Sequence, residues 1–233
     1  NIFIYLYKNF MISVILLTHN YANFLSDCLD SINKNDNSLI GEIIIINDNS
    51  SDNTDEIVSQ YKSQNSKIRY FKTKFLSLNK SYNFAIAKSK FEFITKIDAD
   101  DTINNNFFYN FFYELKKKDY DFIFGDIRLI NELGKFISVR KQNKNFINSY
   151  LKYPLGSGTI FKKKIWESIG GFDENIKYQD DYDFWLKIRK LKKIKIGHLS
   201  EECYNYRIHD KNMSKNILKK NLTKIFVLLR SFL

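Results

Sequence analysis

Short apolar runs alternate with helical patterns through the first half of the chain, and this alternation restricts the fold more than any other feature. The predicted strands are Ile12–Leu17, Glu42–Ile46, Lys67–Phe71 and Phe91–Ile97. Helices are predicted between them over Ala22–Asn33, from Asp52 onwards and over Leu78–Lys88. Strands that alternate with helices in this way favour an α/β fold with a mostly parallel central sheet flanked by helices.

Beyond the fourth strand the alternation weakens. The pattern predicts a helix over Asn104–Lys118, then an extended Asp121–Ile127 and a turn at Asn131–Gly134 into a second extended piece. A short helix from Lys162 and a helix over Asp180–Leu191 are predicted next. The 233 residues suffice for one domain with a sizeable core.

Acidic side chains follow two of the predicted strands. FITKIDADD carries Asp98, Asp100 and Asp101 directly after the fourth strand, and Asp48 ends the second. Open α/β sheets bind ligands at the carboxyl ends of their strands, and clustered carboxylates favour a cation such as Mn²⁺ or Mg²⁺. The alternative for an isolated DxD is that Asp101 caps the following helix and that the other two acids are solvated turn residues.

Six segments carry a resemblance to a known family. They read SVILLTHNYANFLSDCLDSI, EIIIINDNSSDNTDEI, FEFITKIDADD, GSGTIFKKKIWESIGGFDENI, QDDYDFWLKI and YRIHDKNMS. In this order they resemble the motifs of glycosyltransferase family 2, over roughly Ile12 to Ser214. The resemblance implies the GT-A fold, with its Rossmann-like sheet. We therefore expect an extension of unclear role at 1–10, a GT-A domain at 11–214 and a separate helix at 215–233.

The resemblance also implies an activity and a site. It predicts an inverting glycosyltransferase that moves a sugar from a nucleotide-sugar donor, expected to be a UDP-sugar, to a glycan or lipid-linked acceptor. A divalent metal, Mn²⁺ or Mg²⁺, would neutralise the diphosphate, and Asp181 would be the general base. The implied donor-binding residues are Thr18, Asn20, Asp48, Asn83 and Asp98, with Asp48 at the uracil ring. Asp100 and His209 would bind the metal, with support from Asp180 and Arg207.

Some positions depart from the family pattern. Asn47 and Asn49 stand where Asp and Gly are usual, which puts the local turn geometry in question. Tyr82 replaces an Arg that often lies near the donor phosphates, and Lys80 is a candidate to supply the missing cation.

Two assignments stay open at this point. Asp180 replaces the usual Glu, so a one-residue shift of the helix start would exchange its role with that of Asp181, which is the preferred base. His209 is either a metal ligand or a histidine held by protein hydrogen bonds, since no second His lies nearby in the sequence.

Charge and composition define the rival functions. A net charge of +11 and 16% aromatic residues would suit a basic nucleic-acid-binding module, but most aromatics lie in apolar runs, so we expect no nucleic-acid partner. A sugar-phosphate nucleotidyltransferase would need a Gly-rich basic loop near the N-terminus, and THNYANF lacks one. Two cysteines without CxxC spacing fit a reducing cytoplasm.

The last segment, 215–233, has the pattern of an amphipathic basic helix. Its apolar positions are Leu218, Leu222, Ile225, Leu229 and Phe232, with lysines between them. Two alternatives are open. The helix either docks peripherally on an anionic membrane, at the inner face, or packs against the catalytic domain or a second subunit.

Overall fold

The computed structural model describes residues 10–35, 38–142, 146, 149–154, 156–212 and 217–232. The extension predicted at 1–10 lies outside these residues except for Phe10, whose ring packs against Phe93 and Phe112. Residues 215, 216 and 233 of the predicted terminal helix also lie outside.

Four parallel strands form the first half of the sheet. They are β1 (Ile12–Thr18), β2 (Ile40–Asp48), β3 (Ile68–Thr73) and β4 (Phe93–Asp98). Their order in space is β3-β2-β1-β4, so β1 lies between β2 and β4. The three crossover helices are α1 (Ala22–Asn33), α2 (Thr54–Gln64) and α3 (Leu78–Lys88). The alternation predicted from the sequence is confirmed in this half of the chain.

One carboxylate holds the starts of two of these helices. Asp52 Oδ2 accepts the backbone N–H of Ala22 at 2.9 Å, and its Oδ1 accepts the Thr54 N–H at 3.2 Å. A carboxylate at these positions satisfies N–H groups that have no partner inside a helix. Asp52 therefore binds a backbone N–H at the start of α2 and ties this helix to α1.

The second half of the chain extends the sheet beyond β4. Its strands are β5 (Thr102–Ile103), β6 (Phe122–Asn131), β7 (Phe136–Arg140), β8 (Ile160–Lys162) and β9 (Ile196–Ile208). The order continues from β4 as β8-β6-β9-β5, with β7 paired to β6. β6 and β9 are parallel, whereas β8 pairs antiparallel with β4 and β6. The hairpin turn is confirmed, because Gly134 N donates to Asn131 O at 2.9 Å.

The helices of this half are α4 (Phe107–Lys118), α5 (Lys163–Ser168), α6 (Asp180–Arg189) and α7 (Ile217–Arg230). The prediction that a helix begins at Asn104 was wrong, because Asn104 follows β5 directly and its N–H still donates to Cys203 O of β9 at 3.0 Å, and α4 starts three residues later. Neither β8 nor β9 was predicted from the sequence pattern. Both strands are defined by pairing with distant partners, and residues in them lack a clean alternation.

Alternating residues of the central strands enter two cores. Val14 and Leu16 face a core built with Leu25 of α1 and with α4, while Ile15 and Leu17 face a second core. The second core includes Trp185 of α6 together with residues of α3 and α5. Successive side chains of a strand point to opposite faces, so helices cover both faces of the sheet. The predicted α/β fold is confirmed.

The terminal helix α7 packs against α6 through its less apolar side. Val227 is buried beside Tyr182 and Leu186, and Arg230 forms ion pairs with Asp173 and Asp183. The apolar positions predicted from the sequence point away from the domain, so the alternative that this stripe packs against the catalytic domain is wrong. Within the residues described, no helix has the length and apolar character needed to cross a bilayer.

Candidate active site

The polar residues predicted from the sequence meet at the carboxyl edge of the parallel strands. In the register, Thr18 at the end of β1 lies opposite Asn47, and Asp98 at the end of β4 lies opposite Leu17. Asp48 ends β2 on the same edge. The Thr18 hydroxyl is buried, and among the described residues it has no hydrogen-bond partner. The topology thus brings together three strand ends that are up to 80 positions apart in the sequence.

Asp48 organises the loop that follows β3. Its Oδ1 accepts Thr73 Oγ1 at 2.9 Å and Phe75 N at 2.7 Å, and its Oδ2 accepts Ser77 N and Ser81 Oγ, each at 3.1 Å. Four donors match the roughly four lone-pair sites of a carboxylate. Asp48 therefore fixes the loop after β3, and its contact with a nucleotide base stays a prediction.

Asparagine side chains stabilise the turns after β1 and β2. Asn20 Oδ1 accepts the Ser51 N–H at 2.8 Å, and Asn47 Oδ1 accepts the Ser50 N–H at 2.9 Å. Asn49 has φ of 65°, a left-handed conformation that asparagine tolerates better than most residues. The replacement of the usual Gly at this position therefore does not prevent the turn.

Asn83 lies further from the strand ends. Its amide donates to Phe172 O at 2.9 Å, and its Oδ1 accepts the Phe172 N–H at 2.9 Å and Trp166 Nε1 at 3.0 Å. These bonds anchor the Gly-Gly-Phe loop on α3. The role of Asn83 in donor binding stays a prediction. Lys80, the candidate replacement for the cation missing at Tyr82, is exposed on α3.

Asp98 is held by two hydroxyls. Tyr82 donates to its Oδ1 at 2.6 Å, and Ser157 donates to its Oδ2 at 2.5 Å. Tyr82, the residue that departs from the family pattern, is thus a buried support for the acid at the end of β4. Both hydroxyls hold the Asp98 carboxylate in place at the carboxyl edge of the parallel strands.

Asp100 and His209 are joined across the fold. His209 Nε2 is hydrogen-bonded to Asp100 Oδ2 at 2.8 Å, and both residues are buried. Burial and the charge of Asp98 raise the pKa of the Asp100 carboxyl, while His209 lowers it. The contact itself is the protein hydrogen bond that the second interpretation of His209 expected, and the metal role stays a prediction.

The pair fits part of a divalent-cation site. One carboxylate oxygen and one imidazole nitrogen lie 2.8 Å apart, in contact with each other, and atoms of these kinds suit Mn²⁺. The described residues contain no group of three or more His, Cys, Asp or Glu side chains placed to bind a metal. A cation here would therefore need further ligands from substrate phosphates and water, which is common for Mg²⁺ and Mn²⁺ sites.

Asp101 serves the interior and does not cap α4. Its Oδ2 accepts the Tyr204 hydroxyl at 2.6 Å, and its Oδ1 accepts the Arg207 N–H at 2.7 Å. Burial, followed by the charges of Asp100 and Asp98, raises its pKa well above the usual range. The alternative in which Asp101 merely caps the helix is wrong, because β5 intervenes between it and α4.

Arg207 supports the same segment. Its Nε donates to the Asp100 carbonyl and its Nη1 to the Glu132 carbonyl, each at 2.7 Å, while its Nη2 lies 3.1 Å from Asp27 Oδ2. The guanidinium is buried, and its rigid set of donors ties the DADD turn to the β6–β7 turn. Arg207 thus holds the backbone that presents Asp100.

Tyr204→Phe tests how strongly this network stabilises the fold. The hydroxyl serves two groups, since it donates to Asp101 and accepts the Asp98 N–H at 3.2 Å. Leaving buried polar groups unpaired costs about 1–3 kcal/mol, so we expect the free energy of unfolding to fall by that amount. Urea denaturation measures it. Tyr109→Phe is the control, because Tyr109 is 52% exposed. Removing its hydroxyl should change the free energy of unfolding by about 0.5 kcal/mol or less. Equal effects of the two changes would contradict the prediction.

Asp180 and Asp181 begin α6 beside a buried lysine. Lys96 Nζ lies 3.1 Å from Asp181 Oδ1 and 3.7 Å from Asp180 Oδ2. Burial and the charge of Asp181 raise the pKa of Asp180 to about 7, with Lys96 acting in the opposite direction. The start of α6 at Asp180 agrees with the predicted register, while the choice between the two acids as base stays a prediction.

A glycine-containing loop connects the two acidic groups. Ser157 binds Asp98, and a Cβ at Gly156 would lie 1.9 Å from Asp181 Oδ1. Gly158 has φ of 72° and donates its N–H to the Lys96 carbonyl at 2.9 Å. No side chain fits at position 156, and the positive φ favours glycine at position 158. This loop therefore contacts both the acid at the end of β4 and an acid at the start of α6.

Sequence reasoning did not identify Lys96 or Ser157. A signal for Lys96 exists, because a cation interrupts the otherwise apolar FITKI run two positions before Asp98 and therefore lies on the same face of β4. Ser157 offers no comparable signal, because its contact with Asp98 spans 59 positions.

Comparison with known proteins identifies relatives of the chain. A family model described as Glycosyl transferase family 2 matches residues 13–182. The O-antigen biosynthesis glycosyltransferase WbnJ of Escherichia coli is 30% identical over 222 residues, which cover 89% of this chain and 84% of WbnJ. The chondroitin synthase of Pasteurella multocida is 29% identical over 217 residues, which cover 91% of this chain but 22% of that synthase.

Solved structures match the fold at lower identity. S. aureus TarS, residues 1–349 in complex with UDP-GlcNAc, has a TM-score of 0.73 and 20% identity, and the match covers 88% of this chain and 61% of TarS 1–349. The UDP complex of the same protein has a TM-score of 0.73 at 17% identity and covers 95% of this chain and 65% of that one. These neighbours support the α/β architecture.

Proposed function

This chain belongs to glycosyltransferase family 2, and we propose that it transfers a sugar from a UDP-sugar to an acceptor hydroxyl with inversion at the anomeric carbon. The observation that carries the proposal is the loop at 156–158, which binds Asp98 through Ser157 and runs against Asp181 at Gly156. In this proposal Asp98 lies on the donor side and Asp181 on the acceptor side.

UDP is the proposed nucleotide, because TarS has a similar fold and was solved with UDP-GlcNAc and with UDP. Thr18, Asn20, Asp48 and Asp98 line the strand-end edge where such a donor would lie. The Thr18 hydroxyl is well suited to bind it, since this buried group has no partner among the described residues. WbnJ and the chondroitin synthase act in polysaccharide synthesis by their names, and we extend a glycan acceptor to this chain from them.

Asp100 and His209 would hold the divalent cation, Mn²⁺ or Mg²⁺. When bound, it would supply positive charge to the departing diphosphate, a contribution of several kcal/mol in metal enzymes. Arg207 fixes the backbone of Asp100 through its carbonyl, so the carboxylate stays aimed at His209. Asp98 lies beside this pair and would orient the donor sugar or ribose.

Asp181 is the proposed general base. It would take the proton from the acceptor hydroxyl as that oxygen attacks the anomeric carbon, in a single displacement without a covalent enzyme intermediate. Lys96 binds one of its oxygens, Oδ1. Asp180 lies next to it and is not the proposed base.

A panel of nucleotide sugars tests the donor assignment. Thermal unfolding is followed with each sugar in the presence of Mn²⁺, and we expect a UDP-sugar to raise the melting temperature because ligands that bind only the folded state stabilise it. Absence of a shift with every UDP-sugar, or salt-sensitive RNA binding without sugar transfer, would contradict the proposal.

A lipid-linked acceptor at an anionic membrane is the proposed setting. The outer face of α7 consists of large apolar side chains that are 57–72% exposed: Leu218, Leu222, Ile225, Phe226, Leu229 and Phe232. Tyr150, itself 49% exposed, extends this face through its ring contact with Phe232 at 5.4 Å. Soluble monomers rarely expose a contiguous apolar patch of this kind.

The charge of the protein favours a bilayer over a second copy. The chain carries a net charge of +11, which repels another copy and attracts anionic lipid, and Lys219 lies at the border of the α7 outer face. Basic residues near such a surface contribute about 1 kcal/mol each. The helix also packs on α6, whose second residue is the proposed base Asp181, so a bound membrane would lie near the acceptor side.

The double variant Leu222→Ser, Leu229→Ser tests membrane docking. Sedimentation with vesicles containing phosphatidylglycerol should show affinity lowered by about tenfold or more, since burying one Leu is worth about 1.5–3 kcal/mol. The melting temperature of the double variant should stay close to that of the wild type, because both side chains are exposed. Leu133→Ser, at a position 79% exposed on the β6–β7 turn, is the matched control and should not change binding. Undiminished vesicle binding, or a wild-type dimer that this variant dissociates, would contradict membrane docking.

A further inference from the structure

Lys96 is a charged residue in the middle of a buried strand. It lies on β4, and its side chain is 2% exposed. An ammonium group in such a place costs free energy unless it is paired and hydrogen-bonded. The surroundings of Lys96 therefore indicate why a cation is kept there.

Two carboxylates and two aromatic rings surround the ammonium group. Asp181 accepts a hydrogen bond from Nζ at 3.1 Å, and Asp180 lies 3.7 Å away. Nζ also lies 4.1 Å from the centre of the Tyr82 ring and 4.6 Å from that of Phe172. Rings at these distances attract a cation and exclude water from it.

The other titratable groups around the acids come from three further elements. The charge of Asp98 on β4 raises the pKa of both Lys96 and Asp180. The charges of Asp180 and Asp181 raise the pKa of Tyr82 on α3 and of Tyr153 in the loop after β7. Among these groups Lys96 is the cation. Burial alone would lower the pKa of Lys96, but the charges of Asp181, Asp180 and Asp98 outweigh burial and raise it.

We propose that Lys96 is a positioning residue that aims the Asp181 carboxylate and sets the proton occupancy of the Asp180–Asp181 pair. The inference rests on the proposed function in one respect, the role of Asp181 as base. Two adjacent carboxylates repel each other, and a counter-charge favours their ionised forms, so without Lys96 the pair loses its protons only at higher pH. Lys96 also binds Asp181 Oδ1, which orients this carboxylate to accept the proton of the acceptor hydroxyl.

The pKa of Asp180, about 7, agrees with this balance. One ammonium group compensates one carboxylate, and the second acid keeps its proton up to neutral pH. Removing the ammonium leaves both acids uncompensated, so proton loss from the pair moves to higher pH. The base form of the pair then becomes scarce in the neutral range.

Lys96→Met and Lys96→Arg test the proposal without any turnover. The side-chain carboxyl carbons of ¹³C-labelled Asp are titrated by NMR in the full chain, and Asp180→Asn and Asp181→Asn assign the two signals. In Lys96→Met we expect the titration of the pair to move up by about 1–3 pH units, the effect of one opposite charge at this distance. Lys96→Arg should stay near wild type. An unmoved titration in Lys96→Met would overturn the proposal.

The double variant Lys96→Met, Asp180→Asn separates electrostatics from structure. It removes the lysine and one of the two carboxyl groups together, so the remaining acid has no carboxyl neighbour to repel it and the NMR titration should return toward the wild-type range. A purely structural role of Lys96 predicts no such return. A titration that does not return toward the wild-type range would therefore overturn the proposal. Because this variant has no excess negative charge, it also provides the test if Lys96→Met alone does not fold.

The pH dependence of kcat connects the pair to catalysis. In the plot of kcat against pH, the acidic limb of Lys96→Met should move to higher pH by the same amount as the NMR titration. The affinity for UDP should be unchanged. If the NMR titration moves but Asp181→Asn turns over at the wild-type rate, Lys96 still controls the pair and the assignment of Asp181 as base is wrong. If the limb stays in place while the NMR titration moves, the link from Lys96 to the base is wrong.

Discussion

Asp181→Asn is expected to lower kcat by about a hundredfold or more while UDP affinity stays unchanged. An amide cannot accept the proton of the acceptor hydroxyl, and general-base catalysis typically contributes about 10²–10⁴-fold. The amide has nearly the same shape as the carboxylate, so the hydrogen bond from Lys96 to Oδ1 can persist. Steady-state kinetics with a saturating donor, together with calorimetry of UDP binding, measure the two quantities separately.

Asp180→Asn is the matched control for this prediction. Asp180 lies 3.7 Å from the same lysine and is adjacent in sequence, so each change replaces one carboxyl group of the same pair by an amide. We expect Asp180→Asn to keep most of its kcat, because the proposed base remains. If Asp180→Asn instead caused the large loss and Asp181→Asn did not, the roles of the two acids would be exchanged.

Asp100→Ala is expected to abolish the part of UDP affinity that depends on Mn²⁺. The cation would lose its carboxylate ligand, and the diphosphate would face Asp98 without a compensating charge. Such a cation contributes several kcal/mol, so affinity should fall by about a hundredfold or more at about 1.4 kcal/mol per tenfold. In calorimetry, the variant with Mn²⁺ should resemble wild type in the presence of a chelator.

Asp210→Ala is the control for the loss of one acid near this site. Asp210 is exposed and follows His209 directly, so a general effect of surface charge would appear in both variants. His209→Gln should weaken the Mn²⁺ dependence, since it removes the second proposed ligand. Undiminished Mn²⁺-dependent UDP binding by Asp100→Ala would contradict the assignment of Asp100 as a metal ligand.

The sequence by itself was enough to predict the parallel half of the fold and the edge of the sheet where the site lies. Ile12–Thr18, Ile40–Asp48 and Phe93–Asp98 are buried on both faces and end in polar residues, so local patterning defines both the strands and their functional ends. Asp48, Asp98 and Asp100 were predicted from this placement and from the family motifs. The strand assignments succeed because they depend on residues that are neighbours in the chain, and the roles of the three acids stay predictions.

Tertiary structure decided the remaining features, because each depends on contacts between distant segments. Lys96 meets Asp181 across 85 positions, and the network of Asp101 with Tyr204 and Arg207 spans more than 100. The stripe of α7 was visible in the sequence, but its direction was not. Val227 and the ion pairs of Arg230 fix the opposite side of that helix on the domain, and the stripe is therefore left facing outward.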